Sequence, residues 1–349
     1  MPETISDARM ALRDCIFESL PTDGDPLRQR FFLRLLPQVG QTLLLVELAS
    51  SGSEQLKELG LIGDVQPIVE AFVQDESQTP EDRFWALDTL VLWSYERQLD
   101  DRTMQLLDSM EALAAAHPLT VRARGALATK RMHAFAKRGD LDGIHREYEI
   151  GKESIKDEAD HVRVVKYNFG LSLYLCGRNR EAANVAQEVI AEYYDTLGLS
   201  PADVFAKNPP EIWAKIENKE EATDNLRRLA DSLDLYAKSL QRMGQQTGLV
   251  RIHAHKFYVM ANAYQSAVRL GQDFVDECLS ERRSPRDARR FLESNLIPYV
   301  MKAGLVDHVI QVRSHYAVIL AYCGEFSLAA RKCGDSNSSH RMIRCGNSN

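Results

Sequence analysis

The chain has 349 residues, of which 44% are hydrophobic and 27% charged, a composition too apolar for general disorder and long enough for a large core. A net charge of −7, from 50 acidic and 43 basic side chains, argues against a dedicated nucleic-acid binder. Six scattered cysteines (Cys15, Cys176, Cys278, Cys323, Cys333, Cys345) include no C-x-x-C pair, the start lacks a basic-then-apolar leader, and no run of roughly 18 apolar residues occurs. A cytoplasmic protein with reduced thiols, no membrane span and no cofactor is therefore expected.

In chain order, apolar residues recur with helical spacing over 5–20, 27–36, 41–48, 54–59, 65–73, 81–97 and 103–116. Alternating β-branched runs bounded by hairpin turns are absent, so the reading is all-α. Three helix starts share one design: Thr79-Pro80-Glu81-Asp82, Ser200-Pro201-Ala202-Asp203 and Ser284-Pro285-Arg286-Asp287. A hydroxyl caps, proline takes the first helical position, and an acid three residues after the cap complements the dipole. Residues 200–216, with Asn208-Pro209-Pro210, read as a loop with short helices, followed by a long helix from Lys219 to about Met243. The Ser-, Asn- and Gly-rich residues 334–349 read as a disordered tail.

One pattern returns 147 positions later (317 − 170). Gly170-Leu171-Ser172-Leu173-Tyr174-Leu175-Cys176-Gly177, with Glu181-Ala182-Ala183 beyond it, is echoed by Ala317-Val318-Ile319-Leu320-Ala321-Tyr322-Cys323-Gly324 and Leu328-Ala329-Ala330. In each copy an apolar helix ends at a glycine and a second helix opens with paired alanines, the pattern of two closely packed antiparallel helices. Repeated helix-turn-helix units point to a stacked helical solenoid.

From about residue 119 these units resemble tetratricopeptide repeats. Aligned turn glycines are Gly139, Gly177, Gly271 and Gly324; the first two stand 38 apart (177 − 139), but the next intervals are 94 and 53, so the array is irregular. The best copy, 163–196, has Gly170, Leu173, Gly177, Ala182 and Val189 where that family expects small or apolar residues, although Lys166 stands where it has tryptophan. Residues 44–97, with Leu59-Gly60, Ile68-Val69-Glu70 and Trp85-Ala86-Leu87, resemble one armadillo-type repeat. The resemblance implies a right-handed α-solenoid of antiparallel helix pairs. Its expected parts are a helical segment over 1–117, a tetratricopeptide-like segment over 118–333 with an irregular insertion at 197–218, and the tail.

The resemblance also implies a binding surface, because the first helix of each pair lines the concave side. Nine residues before each turn glycine stand Lys130, Asn168, Asn262 and His315, at a position the family often uses to hold peptide. An asparagine amide both donates and accepts, which suits a peptide backbone. Tyr167 and Tyr174 would add amphipathic contact area. A basic stripe of Arg124, Arg131 and Arg138 at seven-residue spacing, flanked by Lys130 and Lys137, shares one helix face. It is either a solvated face or a receiver of acidic peptide or phosphate. A second arginine cluster, at 282, 283, 286, 289 and 290, is interleaved with acids and reads as internally neutralised.

No phosphate-binding loop, dinucleotide fingerprint, nucleophile elbow or zinc-protease motif occurs. His253 and His255, two apart, point to different helix faces and do not share an ion readily. Trp85, Trp93 and Trp213 read as core or groove anchors. The expected function is a non-enzymatic adaptor or scaffold binding a partner peptide or helix in the concave groove. The alternatives are a ligand- or peptide-responsive regulator and nucleic-acid binding through the basic face.

Overall fold

The computed structural model describes residues 36–37, 42–51, 56, 60–206, 208–219, 221–280, 284–302 and 306–332, and no strand occurs among them. The helix expected at 5–20, most of those at 27–36 and 54–59, and the tail at 334–349 lie outside the described residues. The chain divides into two compact units, Met1–Cys176 and Gly177–Asn349. The boundary expected at 117/118 falls inside the first unit, where the helices on either side of it pack together.

The first unit runs α1 (Thr42–Ser51), α2 (Ile62–Gln74), α3 (Pro80–Glu96), α4 (Asp100–Ala116), α5 (Val121–Arg138), α6 (Leu141–Ser154) and α7 (Ala159–Leu175). α3 pairs with α4 and α5 with α6, while α3, α5 and α7 lie side by side. That succession of hairpins, each resting on the last, is the packing of a helical repeat. Burial drives it: Val69, Phe84, Trp93, Leu107 and Met110 belong to one continuous core. Thr79 caps α3 by accepting from Asp82 N at 3.1 Å, as its proline-led start predicts. Thr120 caps α5 through Ala123 N at 3.3 Å and also donates its hydroxyl to Glu81 at 2.6 Å, tying the starts of α3 and α5 together.

The second unit runs α8 (Asn179–Leu197), α9 (Pro201–Ala206), α10 (Pro209–Lys215), α11 (Ala222–Arg242), α12 (Gly248–Met260), α13 (Tyr264–Ser280), α14 (Pro285–Phe291), a π turn at Leu292–Leu296, α15 (Ile297–Lys302) and α16 (Val306–Tyr322). α8 packs on α11, α11 on α12 and α12 on α13, with α9 and α10 falling between α8 and α11 in sequence. Residues Phe274, Phe291, Leu292, Leu296 and Ile319 close the core at its far end. α10 begins with a full capping box between Asn208 and Glu211, a stronger start than the Pro-Pro pair alone announces.

Three of the four aligned turn glycines do hold left-handed backbone: Gly139 at φ 70°, Gly177 at 77° and Gly324 at 84°. Gly271 does not; it lies inside α13, where a β-carbon would meet Leu296 Cδ1 at 2.9 Å. Its smallness serves helix packing, and the turn falls nine residues earlier on Asn262, at φ 55°. Asn262 closes its helix as the glycines do: its N–H donates to Val259 O (3.2 Å) and the Ala263 N–H to Tyr258 O (2.9 Å). Gln98, at φ 59°, makes the same closure with Tyr95 O and Ser94 O.

Candidate partner-binding face

The first helices α3, α5 and α7 of the first unit are joined across their row by polar side chains. Lys130 Nζ stands 3.3 Å from Asp88 Oδ1, linking α5 to α3. The Tyr95 ring lies 6.4 Å from the ring of His133, and Lys137 Nζ sits 4.1 Å above the Tyr95 ring while donating to its carbonyl at 3.0 Å. His133 in turn meets Asn168 on α7. Its imidazole is buried between the helices, with Nε2 lacking a hydrogen-bond partner. Burial and then the charge of Lys130 push it down to about 4, against the pull of Asn168, so it is neutral at pH 7.

Asn168 uses half of its amide locally, donating from Nδ2 to Val164 O at 2.8 Å. Tyr167 and Tyr174, seven residues apart on α7, are half-buried and share one side of the helix. Of the six residues expected to bind a partner, the structure thus brings Lys130, Tyr167, Asn168 and Tyr174 onto two neighbouring helices. The other two belong to the second unit: His315 is half-buried on α16, and Asn262 is exposed at the turn between α12 and α13. The placement of Asn262 on a first helix is corrected, because it was counted back from Gly271, which is not a turn residue.

The basic stripe on α5 is largely consumed by neighbours. Arg131 pairs with Glu111, with Asp108 at 3.5 Å and with Glu147 at 3.8 Å, and Lys137 with Asp100 at 3.2 Å. Burial pushes the Glu147 carboxyl up, opposed by Arg131 and Arg146. Arg124 and Arg138 remain exposed, so only part of the stripe faces solvent as free charge. Asp140, just after the stripe, caps α6 by accepting from Gly143 N at 2.9 Å.

Asp88, Tyr95 and His133 carry the row as much as the expected residues do, yet nothing in their local sequence marks them. Each matters only because α3, α5 and α7 become neighbours. Of the tryptophans, Trp93 is in the core, while Trp85 donates to Glu81 at 3.1 Å and carries the Arg122 guanidinium 5.0 Å above its ring. His253 and His255 are both buried in α12, and burial pushes each down to about 4. Among the described residues, no three His, Cys, Asp or Glu side chains gather as a metal site, and no helix is long and apolar enough to cross a membrane. Among the described residues, Cys176, Cys278 and Cys323 are not joined in disulfides.

No protein-family model matches the chain, and no curated protein matches it. Among solved structures, it is similar to a signal transduction ATPase with numerous domains that carries a tetratricopeptide repeat sensor, from Pyrococcus horikoshii. The identity is 14% and the TM-score 0.35, over 95% of this chain and 52% of that one, so the chain spans about half of that protein's length. It is also similar to the apo form of the quorum sensor NprR from B. thuringiensis, at 13% identity and TM-score 0.32, over 97% of this chain and 100% of that one. At these values the reading as helix pairs rests on the packing of the chain itself.

Proposed function

We propose that the chain is a helical-repeat binding protein that holds a segment of a partner polypeptide on the face of α3, α5 and α7 and carries out no chemistry of its own. The observation that carries this reading is the cross-helix row Asp88–Lys130 and Tyr95–His133–Asn168, which makes three separate helices one continuous face. Tyr167 and Tyr174 supply the area for apolar contact, and the Asn168 amide, which serves Val164 and His133 in the free chain, is the backbone anchor. Lys130, already opposed by Asp88, acts in orientation more than in affinity.

The test is co-purification of the full chain with partners from its native host, repeated with Tyr167→Ala/Tyr174→Ala and with Asn168→Ala. Loss of the same partner from both variants, with unchanged circular dichroism, supports the face; retention of all partners removes it.

A further inference from the structure

In the first unit a cleft of about 410 Å³ opens between α2 and α4 with α3 beneath it. Val73, Leu87, Leu90, Leu106 and Leu113 supply its apolar half, and Gln74, Ser109 and His117 stand among its polar lining. A smaller adjoining recess shares Leu90 and Leu106 and prolongs the apolar strip to the exposed Leu99. Arginines stand at both ends. Arg83 is fixed at one end by its Nε, which donates to Val73 O at 2.8 Å. At the other, Arg97 donates to Gln66 Oε1 at 2.9 Å, and Arg102 stands 3.5 Å from Glu70.

Glu70 is the single acid among the residues lining the two recesses, against three arginines. Asp75, near Arg83, is held by Ser77 and Gln78 and does not line the cleft. In a chain whose net charge is −7, a leucine-floored cleft with a basic excess is a local inversion. It is complementary to an apolar group flanked by carboxylates.

Length and backbone chemistry narrow the occupant. Arg83 and Arg97 are fourteen residues apart on one helix run (97 − 83), which is roughly 21 Å, or four turns. An extended peptide would need backbone hydrogen-bond partners along that length, and the cleft's walls are helices whose amides and carbonyls bond internally. A helix satisfies its own backbone and brings only side chains to the cleft. From these observations we infer that the α2–α4 cleft is a second docking site, for an amphipathic partner helix of about four turns whose apolar stripe is flanked by acidic residues at both ends. This inference does not depend on the face of α3, α5 and α7.

The probe is a synthetic helical peptide of roughly sixteen residues with leucines at every third or fourth position and glutamates at both ends, followed by fluorescence anisotropy against the full chain. A control peptide carries lysines in place of the glutamates. Ala112→Trp, at an exposed position on the cleft lining, and Arg97→Glu/Arg102→Glu are each expected to weaken the glutamate peptide by about tenfold or more. Tyr167→Ala/Tyr174→Ala is expected to leave it unchanged, and added salt to weaken it. Circular dichroism confirms that each variant is folded. Equal binding of the lysine peptide, undiminished binding to Ala112→Trp, or no binding to the wild-type chain overturns the proposal. Loss of binding in the tyrosine variant alone would move the peptide to the other face and overturn it equally.

Discussion

Gly151 of α6 lies so close to Ala128 of α5 that a β-carbon added to Gly151 would stand 2.6 Å from the β-carbon of Ala128. No rotamer relieves that contact, since both atoms are fixed to their backbones. In an ordinary helix, replacing glycine by alanine gains roughly 1 kcal/mol of propensity. Here overpacking wins, and Gly151→Ala is expected to lower stability by about 1–2 kcal/mol. Urea unfolding of the two proteins decides it: a higher midpoint in the variant would show that the helices separate at no cost.

Gln98 offers the opposite opportunity. It sits at φ 59°, a conformation that strains a residue bearing a β-carbon, yet it closes α3 with the same two hydrogen bonds that the turn glycines use. Gln98→Gly is therefore expected to stabilise the chain by about 0.5–1 kcal/mol after the added freedom of the unfolded glycine is deducted. Asn262→Gly should gain less, because asparagine tolerates the left-handed region better than glutamine. Thermal melts of both variants should rank them in that order; a lower melting temperature for Gln98→Gly contradicts the assignment of strain.

These turns also show how far the sequence could be read. Gly139, Gly177 and Gly324 are legible as turns because a helix ends beside each and a small residue is needed where φ is positive. Gly271 looks the same in one dimension, but its smallness answers to Leu296, which reaches it only after α13 and the π turn have packed. Asn262 is hard to recognise as its replacement because no glycine marks the turn there. The site divides along the same line. Tyr167, Asn168 and Tyr174 are visible from helical spacing on one element. The cleft's Arg83, Leu90 and Arg102 come from α3 and α4 and have no common motif.

Three histidines set a pH window, His133 in the first unit and His253 and His255 in the second. Burial holds all three down to about 4, well below the ordinary value near 6.5 of an unfolded histidine. Between those values the unfolded chain binds more protons than the folded one. Stability is therefore full above about pH 6.5 and falls as the pH drops toward 4, by up to roughly 3 kcal/mol for each group. His255 packs edge-on to Phe291 at 5.1 Å, and its Nε2 has no partner. His255→Leu should therefore flatten the dependence of unfolding free energy on pH between 5 and 6.5, where most carboxylates are already ionised. Identical slopes for wild type and variant would mean that His255 is protonated equally in both states.

Arg251 and Glu277 form a buried pair between α12 and α13, 4% and 3% exposed, with the guanidinium Nε 3.1 Å from the carboxylate. Thr247 donates its hydroxyl to the same carboxylate, and Arg251 donates to Gln241 Oε1 at 2.6 Å. The attraction within such a pair roughly offsets the cost of taking both charges out of water, so its net contribution is small. Breaking it is different, because the buried Glu277 carboxylate then loses the Arg251 guanidinium. Arg251→Met is expected to cost about 3–5 kcal/mol, whereas Arg251→Met/Glu277→Leu should recover most of that loss. Urea unfolding of the wild type and both variants gives the comparison. If the double variant is as unstable as the single one, the hydrogen bonds to Thr247 and Gln241, and not the stranded carboxylate, hold α12 against α13.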